Sequence, residues 1–238
     1  MHILVTGGTG GLGTAIIKKL AAGNGNTVYF TYASSSHRAG ELHAEMQNAH
    51  GIHCDFTIPS SVDTLIAALE DMAPDVLINN AWRPFTTAYL HKKYGKELLS
   101  GFEQDILPAI KITNAAINIF RKKKSGKIIN ILSSAIIGKP PIGWSEYVAN
   151  KNYLLSLSKS WAVENIRFNI TTNCISPSFM ETKFTGDTDP RIIEQMTADH
   201  PLKKLLTPEE VADAAFFLVN CSRHINGINL VINAGMDL

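Results

Sequence analysis

Tyr147 and Lys151 stand four residues apart in the stretch YVANK, inside a segment whose apolar residues recur at helical spacing. Side chains four apart project from one face of an α-helix, so a phenol and an ammonium would lie side by side. A free tyrosine has a pKa of about 10, and a neighbouring cation favours the phenolate, so we expect a lowered pKa for Tyr147. Such a pair suits proton transfer at a carbonyl oxygen. Taken alone, the spacing is also typical of an amphipathic helix with one solvated lysine.

Two hydroxyl side chains, Ser133 and Ser134, follow the apolar run IINIL. A serine at the end of a neighbouring strand would hydrogen-bond a substrate oxygen as negative charge develops there. With a nicotinamide delivering hydride to the carbon, serine, tyrosine and lysine together would reduce a carbonyl group or catalyse the reverse reaction.

The stretch TGGTGGLG, residues 6–13, separates an apolar start from a helical segment. Each glycine there has a distinct expected use: Gly7 permits a tight turn, Gly11 lets the backbone approach a pyrophosphate, and Gly13 lets the helix pack against the strand. Because a helix N-terminus presents free amide groups to an anion, the stretch predicts a nucleotide site.

Short β-branched runs alternate with helical segments along the whole chain, which predicts parallel strands joined by crossover helices. The expected fold is α/β, a doubly wound parallel sheet of the Rossmann type, with residues 1–238 forming a single domain. In TPEEV, Thr207 is expected to cap a helix, with Pro208 at its first position and Glu210 at its third. The seven predicted strands are the runs HILVT, TVYFTY, IHCDF, DVLINNA, KIINILS, NITTNCIS and INLVIN.

Composition excludes several classes of protein. The net charge of +1 gives no reason to expect nucleic acid or a membrane surface as partner. Three cysteines fit reduced thiols in a cytoplasmic protein, and no metal site is predicted. The start MHILVTGG lacks the pattern of a secretory leader, and no apolar run approaches the roughly 18 residues of a membrane span.

The motifs together resemble the short-chain dehydrogenase/reductase family. TGGTGGLG has the family's T-G-x-x-x-G-x-G spacing, and CDF, NNA, YVANK and NCISPSFMET follow in the family's order, up to a C-terminal stretch ending in INLVINAGM. The resemblance covers essentially the whole chain and is greatest to members of the β-ketoacyl-acyl-carrier-protein reductase type. It implies an oxidoreductase that interconverts a ketone and a secondary alcohol.

The resemblance also implies the site residues. The catalytic ones would be Tyr147, Lys151 and one serine. Counting along the strand from Gly126 selects Ser133, whereas counting back from Tyr147 selects Ser134. We favour Ser133, because a loop accommodates an extra residue more easily than a buried strand does, and keep Ser134 as the alternative. The cofactor-binding residues would be Gly7, Thr9, Gly10, Gly11, Leu12, Gly13, Ser34, Ser35, Arg38, Asp55, Phe56, Asn79, Asn80, Ala81, Tyr147, Lys151, Pro177, Ser178 and Thr182.

Three positions depart from the family's pattern. Asp105 stands where many members have a catalytic asparagine, and Trp82 and Ser178 stand at customary glycines. Such loops also vary without consequence. These departures motivate an alternative function, a catalytically silent protein that binds NADP(H) as a sensor or interaction partner.

The end of the second strand bears on cofactor choice. An acidic residue there would bind the ribose 2′-hydroxyl of NAD, but this chain reads FTYASSSHR. Hydroxyls at Ser34 and Ser35 and the guanidinium of Arg38 suit a phosphate, which favours NADP(H) over NAD(H). Arg38 could equally belong only to the first turn of the next helix.

Substrate and assembly are less directly encoded. Residues 121–124 read RKKK, and Arg167 ends the next helical segment. Relatives of the reductase type use basic residues in such regions to dock an acidic carrier protein, so we expect a 3-oxoacyl group on acyl carrier protein as substrate. Alternatively, these cations only stabilise the C-termini of their helices through the helix dipole. The resemblance further implies that helices over 102–124 and 147–165 pair across subunits of a homodimer or homotetramer.

Overall fold

Seven parallel strands form one sheet in the order β3-β2-β1-β4-β5-β6-β7. The structure is a computed structural model that describes residues 1–23, 25–84, 87–182 and 189–236. The strands are β1 (His2–Val5), β2 (Thr27–Tyr32), β3 (Ala49–His53), β4 (Val76–Asn79), β5 (Gly126–Ile131), β6 (Ile170–Pro177) and β7 (Asn229–Ile232). The described helices are α1 (Gly11–Ala21), α2 (Ser36–Glu45), α3 (Pro59–Met72), α4 (Gly95–Gly101), α5 (Leu107–Lys123), α6 (Ser145–Asn165), α7 (Pro190–Asp199) and α8 (Pro208–Asn220). The predicted doubly wound sheet is confirmed.

Helices cover the sheet on both faces. On β1, Ile3 and Val5 belong to a core shared with α1, α2 and α8, while Leu4 belongs to the opposite core, shared with α3, α5 and α6. All three side chains are fully buried, because alternate residues of a strand point to opposite faces and neither face meets water. This explains why β1 reads as an apolar run without polar alternation.

The strand order determines where on the sheet a ligand site can open. The chain runs outward from β1 to β3 and then returns to add β4 on the other side of β1. Loops leaving the carboxyl ends of β1 and β4 therefore diverge and open a crevice, where ligands bind in sheets of this kind.

The helix caps and the ends of the strands and helices can be compared with those expected from the sequence. Thr207 and Glu210 form the expected reciprocal capping box at the start of α8. The third strand, predicted as IHCDF, instead spans Ala49–His53, because its pairing with Val28–Tyr32 sets both of its ends. The expected regular helix over 102–124 begins with a π-helical turn, Phe102–Ile106, which joins α4 to α5.

Two features are absent from the described part of the chain. There, no helix combines the length and the apolar character needed to cross a membrane. In the same residues, no three His, Cys, Asp or Glu side chains are grouped so that they could hold a metal ion.

Candidate active site

The glycine turn between β1 and α1 is shaped by close backbone packing. Gly7 has a φ of +69°, and a Cβ there would lie 2.8 Å from the Cα of Ala81. A Cβ at Gly13 would collide with the Gly7 carbonyl oxygen and lie 2.9 Å from the Cα of Gly8. The amide of Asn80 braces the turn by donating to the carbonyls of Thr6 and Gly7, at 2.9 and 3.1 Å. The chain's own packing therefore accounts for glycine at 7 and 13.

The N-terminus of α1 is open to a ligand. Helix α1 begins at Gly11, no side chain caps it, and its first turn contains no acidic residue. Among the described residues, a Cβ at Gly10 would meet only the Gly7 carbonyl oxygen, at 3.5 Å, whereas one at Gly11 would lie 3.1 Å from the Thr182 side chain. The free amides and the positive end of the helix dipole fit a pyrophosphate group.

A pocket of about 740 Å³ joins this turn to the carboxyl ends of the central strands. All the predicted site residues line it except Asn79 and Arg38. Asn79 is instead the buried last residue of β4, and its amide donates to Thr113 Oγ1 at 2.8 Å and Asn130 Oδ1 at 2.7 Å. Its prediction as a cofactor-binding residue is therefore corrected to a bracing role.

Arg38 is turned toward its own helix. Its guanidinium pairs with Glu41 at 2.8 Å and with Glu45 at 3.5 Å, both on α2. The pocket wall at this end is built by Ser34 and Ser35, with Asp55 and Phe56 from the loop after β3. Asp55 Oδ1 accepts hydrogen bonds from the amide and hydroxyl of Thr57, which lowers the pKa of its carboxyl group.

The reacting side chains meet at the other end of the pocket. Helix α6 presents Tyr147 and Lys151 on one face, as expected, and both are buried. The Tyr147 hydroxyl is hydrogen-bonded to the Ser133 side chain. Ser133 Oγ also accepts from the Ala135 amide at 3.2 Å, which holds it at the start of a short 3₁₀ turn. Ser134 lines the same pocket.

The expected lowering of the tyrosine pKa is wrong for this structure. Burial raises the pKa of Tyr147 to about 12; the Ser133 hydrogen bond lowers it and the Asp105 charge raises it further. The Lys151 ammonium contacts other groups: Nζ donates a hydrogen bond to the Ile131 carbonyl at 2.8 Å and lies 3.7 Å from the centre of the Trp82 ring. A phenol with this pKa stays protonated at neutral pH and is placed to donate a proton.

The ammonium group of Lys151 has an unusually low pKa. Burial lowers its pKa to about 7, while the charges of Asp105 and Cys174 oppose the shift. The buried Lys151 side chain is therefore only partly charged at neutral pH.

Two tryptophans wall the site beside Tyr147. The rings of Trp82 and Trp144 both meet it edge-on, with centroids at 5.6 and 5.5 Å. Trp82, which stands at a customary glycine position, thus forms part of the pocket wall beside Tyr147. Further walls come from residues that sequence reasoning missed, because distant loops supply them and no local pattern marks them: Lys139, Leu205 and Met236.

Ser178 supplies an orphaned polar atom. Its Oγ is buried at the pocket and has no hydrogen-bond partner among the described residues. A buried hydroxyl without a partner is costly, so the site fits a ligand that carries hydrogen-bonding groups.

The basic cluster lies away from this pocket. Residues 121–124 end α5 at the amino edge of the sheet, where β5 begins, whereas the pocket lies at the carboxyl ends of the strands. Lys122 pairs with Glu70 at 2.9 Å and Lys123 with Asp75 at 2.5 Å. Arg121 and Arg167 both stack on the Phe168 ring at 4.9 Å. The structure thus gives these cations structural partners and does not bring them to the mouth of the pocket.

The two serines are separable by mutation. We expect Ser133→Ala to raise the reaction barrier by roughly 2 to 4 kcal/mol, like the loss of one oxyanion donor, because its hydroxyl is bonded to Tyr147. Ser134→Ala is the matched control and should change kcat little. Steady-state kinetics of both variants decide the matter, and the reverse ranking would assign the role to Ser134.

Known proteins share both sequence and fold with this chain. The sequence family described as Enoyl-(Acyl carrier protein) reductase matches residues 7–237. The 3-oxoacyl-[acyl-carrier-protein] reductase MabA of Mycobacterium bovis is 29% identical over 240 residues, covering 99% of this chain and 92% of the relative.

Solved structures match across the whole fold. The 3-ketoacyl-(acyl-carrier-protein) reductase of Brucella melitensis, complexed with NADH, gives a TM-score of 0.87 at 23% identity, covering 100% of this chain and 98% of that one. A variant of actinorhodin polyketide ketoreductase, with NADPH, gives 0.89 at 23% identity, covering 99% and 97%. With a family match across residues 7–237 and its motifs gathered around one pocket, the chain belongs to the short-chain dehydrogenase/reductase family.

Proposed function

We propose that this protein reduces a ketone to a secondary alcohol with NADPH, or catalyses the reverse reaction. One observation carries the proposal: a protonated Tyr147, hydrogen-bonded to Ser133 and one helical turn from Lys151, shares a pocket with an open glycine turn. The same pocket therefore has a place for a dinucleotide and a proton donor for the product oxygen.

The residues divide the chemistry among themselves. When bound, the nicotinamide supplies a hydride to the carbonyl carbon. Tyr147 donates its phenolic proton to the carbonyl oxygen, and Ser133 hydrogen-bonds that oxygen as it becomes negative. The carbonyl group thus gains a hydride and a proton and becomes CH–OH. Lys151 provides positive charge beside Tyr147 and would contact the nicotinamide ribose.

The remaining cofactor contacts follow from the pocket lining. The amides at the start of α1 would hold the pyrophosphate, and Asp55 with Phe56 would meet the adenine. Ser178 would give its unpartnered hydroxyl to the nicotinamide end.

The substrate we propose is a 3-oxoacyl thioester on acyl carrier protein. Support comes from the name of the relative in Mycobacterium bovis and from an apolar wall that would accept an acyl chain, including Met180, Met196 and Leu205. Lys139 stands exposed at the pocket and could meet an anionic carrier arm. The decisive experiment measures loss of NADPH absorbance with a panel of simple ketones and 3-oxoacyl thioesters, beside a binding titration.

One observation favours the silent-sensor alternative. The Trp82 indole covers the Lys151 ammonium in this structure, where the cofactor ribose would need access. Tight NADPH binding without turnover of any carbonyl compound would support that alternative, whereas turnover would exclude it.

NADPH is expected to bind more tightly than NADH. No acidic residue follows β2, and Ser34 and Ser35 would meet the 2′-phosphate together with Arg38, once it leaves Glu41. Arg38→Asp should invert the preference, because it replaces a cation with a charge that repels phosphate. Fluorescence titration with each cofactor measures both affinities.

A matched variant sharpens this test. Glu41→Gln removes a carboxylate that holds Arg38 at 2.8 Å, so it should tighten NADPH binding and leave NADH unchanged. Equal or tighter NADH binding by the unaltered protein would contradict the preference.

We also propose a homodimer or homotetramer built on α5 and α6. These helices leave Leu107, Tyr153 and Val163 exposed, with Val163 at 78% of its full accessibility. Apolar side chains on two neighbouring helices suit pairing with a second copy of the same surface.

A further inference from the structure

Four charged side chains form a chain of alternating sign beside the reacting groups. Arg83 donates to both oxygens of Asp105, from its backbone amide at 3.2 Å and from Nε at 2.9 Å. Arg83 Nη2 reaches Glu146 Oε1 at 3.5 Å, and Lys93 Nζ reaches Glu146 Oε2 at 2.5 Å. We call this set the charge chain. It joins the loop after β4, the segment before α4, the π-helical turn and the first turn of α6.

Three of the four side chains in the charge chain are largely buried, whereas that of Arg83 is 33% exposed. The side chain of Asp105 is 6% exposed, and those of Lys93 and Glu146 are 10% and 13% exposed. Removing one partner from such an ion pair leaves a charge that water cannot solvate. With two cations and two anions, the charge chain is neutral as a whole.

The contact between Arg83 and Glu146 leaves no room for a side chain on Gly101, the last residue of α4. A Cβ at Gly101 would lie 2.9 Å from the Glu146 carboxyl carbon and 3.0 Å from Arg83 Nη2. The helix thus leaves room for the Arg83–Glu146 contact, so the fold around the pocket is built to accommodate the charge chain.

At one end of the charge chain, Asp105 lines the same pocket as Tyr147 and Lys151. The Asp105 charge raises the pKa of Lys151 and the pKa of Tyr147. The groups that face Lys151 are Asp105 from the π-helical turn, Tyr147 from its own helix, Cys174 from β6 and the indole of Trp82. Asp105 is the carboxylate among them. Burial raises the pKa of Asp105, and Arg83 opposes that shift.

We propose that Arg83 and Asp105 form a positioning pair for proton transfer, in which Arg83 keeps Asp105 ionised and Asp105 keeps the charge on Lys151 and the proton on Tyr147. The pair would replace the neutral asparagine expected at position 105. Glu146 and Lys93 hold Arg83 in place from the other side. This inference rests on the proposed function, since it assigns the pair to the proton transfer that Tyr147 performs.

Direct titration of Lys151 tests the pair without any substrate. The probe is the ¹³C NMR signal of the lysine side-chain carbons in the full-length protein, assigned by its disappearance in Lys151→Met. In Asp105→Asn we expect the Lys151 titration to move about one pH unit lower, because a nearby opposite charge is removed. Asp105→Glu keeps the charge and should restore most of the shift.

Further variants separate electrostatic coupling from mere packing. Arg83→Gln should move the Lys151 titration in the same direction, because an unpaired buried Asp105 becomes protonated, and the double variant should move it no further. Glu146→Gln, which removes a carboxylate from the far side of Arg83, is the matched control for charge and should move it less. An unchanged titration in Asp105→Asn and Arg83→Gln would overturn the proposal, whatever happens to stability.

The kinetic consequence is measured separately. In Asp105→Asn the alkaline limb of the kcat profile that follows loss of the Lys151 charge should also move about one pH unit lower, because the carboxylate that favours the ammonium is removed. A shifted titration with an unshifted kcat profile would overturn the assignment to proton transfer. If the unaltered protein turned over no ketone, the proposed function would fail, while the titration would still report on the coupling.

Discussion

Replacing Tyr147 by phenylalanine is expected to lower kcat for ketone reduction by about 10² to 10⁴, the usual contribution of general acid catalysis. The substitution removes the transferable proton and little else. The ring that packs edge-on against Trp82 and Trp144 is retained, so the site keeps its shape. NADPH affinity should therefore remain close to that of the unaltered protein, as a fluorescence titration beside the kinetics would measure.

Tyr153→Phe is the matched control for this substitution. Tyr153 lies on the same helix but is 44% exposed and contacts Phe102 instead of the pocket. Loss of its hydroxyl should leave kcat unchanged. Turnover at the unaltered rate by Tyr147→Phe, on a substrate that the protein reduces well, would remove Tyr147 from the mechanism.

Replacing Lys151 by methionine is expected to lower both kcat and cofactor affinity, each by tenfold or more. Methionine keeps most of the side-chain volume, so the effect reports the lost charge and hydrogen bonds and not a new cavity. The ammonium now bonds to Ile131 and lies beside Tyr147, where the cofactor ribose would also approach.

Lys159→Met is the control for Lys151→Met. Lys159 is exposed two turns further along α6, so neither rate nor affinity should change. A Lys151→Met protein that binds NADPH as tightly as before would separate the lysine from the cofactor, and full activity would remove it from proton transfer as well.

Local patterns in the sequence predicted the scaffold of this site well. The glycine turn, the Tyr147–Lys151 face and the Thr207 cap each depend on residues within a single turn or helix. Their geometry is set by backbone rules that act over a few residues. The parallel sheet follows similarly from apolar runs that must be buried on both faces.

Side-chain partners across segments could not be predicted in the same way. The contact between Arg83 and Asp105 joins a loop to a π-helical turn, and an irregular turn leaves no periodic mark in the sequence. The pKa of Tyr147 was misjudged because spacing shows a neighbouring cation but does not show how deeply both groups are buried. Arg38 is different: Glu41 lies three residues further along the same helix, a spacing at which side chains are neighbours, so this ion pair could be predicted from the sequence.

The burial of Lys151 also links folding to proton release. The pKa of Lys151 is about 7 in the folded protein, compared with 10.5 for an ordinary lysine, so above pH 7 the unfolded chain binds more protons at this group. Stability contributed by Lys151 therefore rises with pH through this window, by up to about 1.4 kcal/mol per pH unit. From about pH 9 upward Cys174 opposes it, because burial raises the pKa of that thiol to about 11 and the folded state then keeps the extra proton. Between these limits, folding at pH 8 releases about one proton from the very group that the reaction uses.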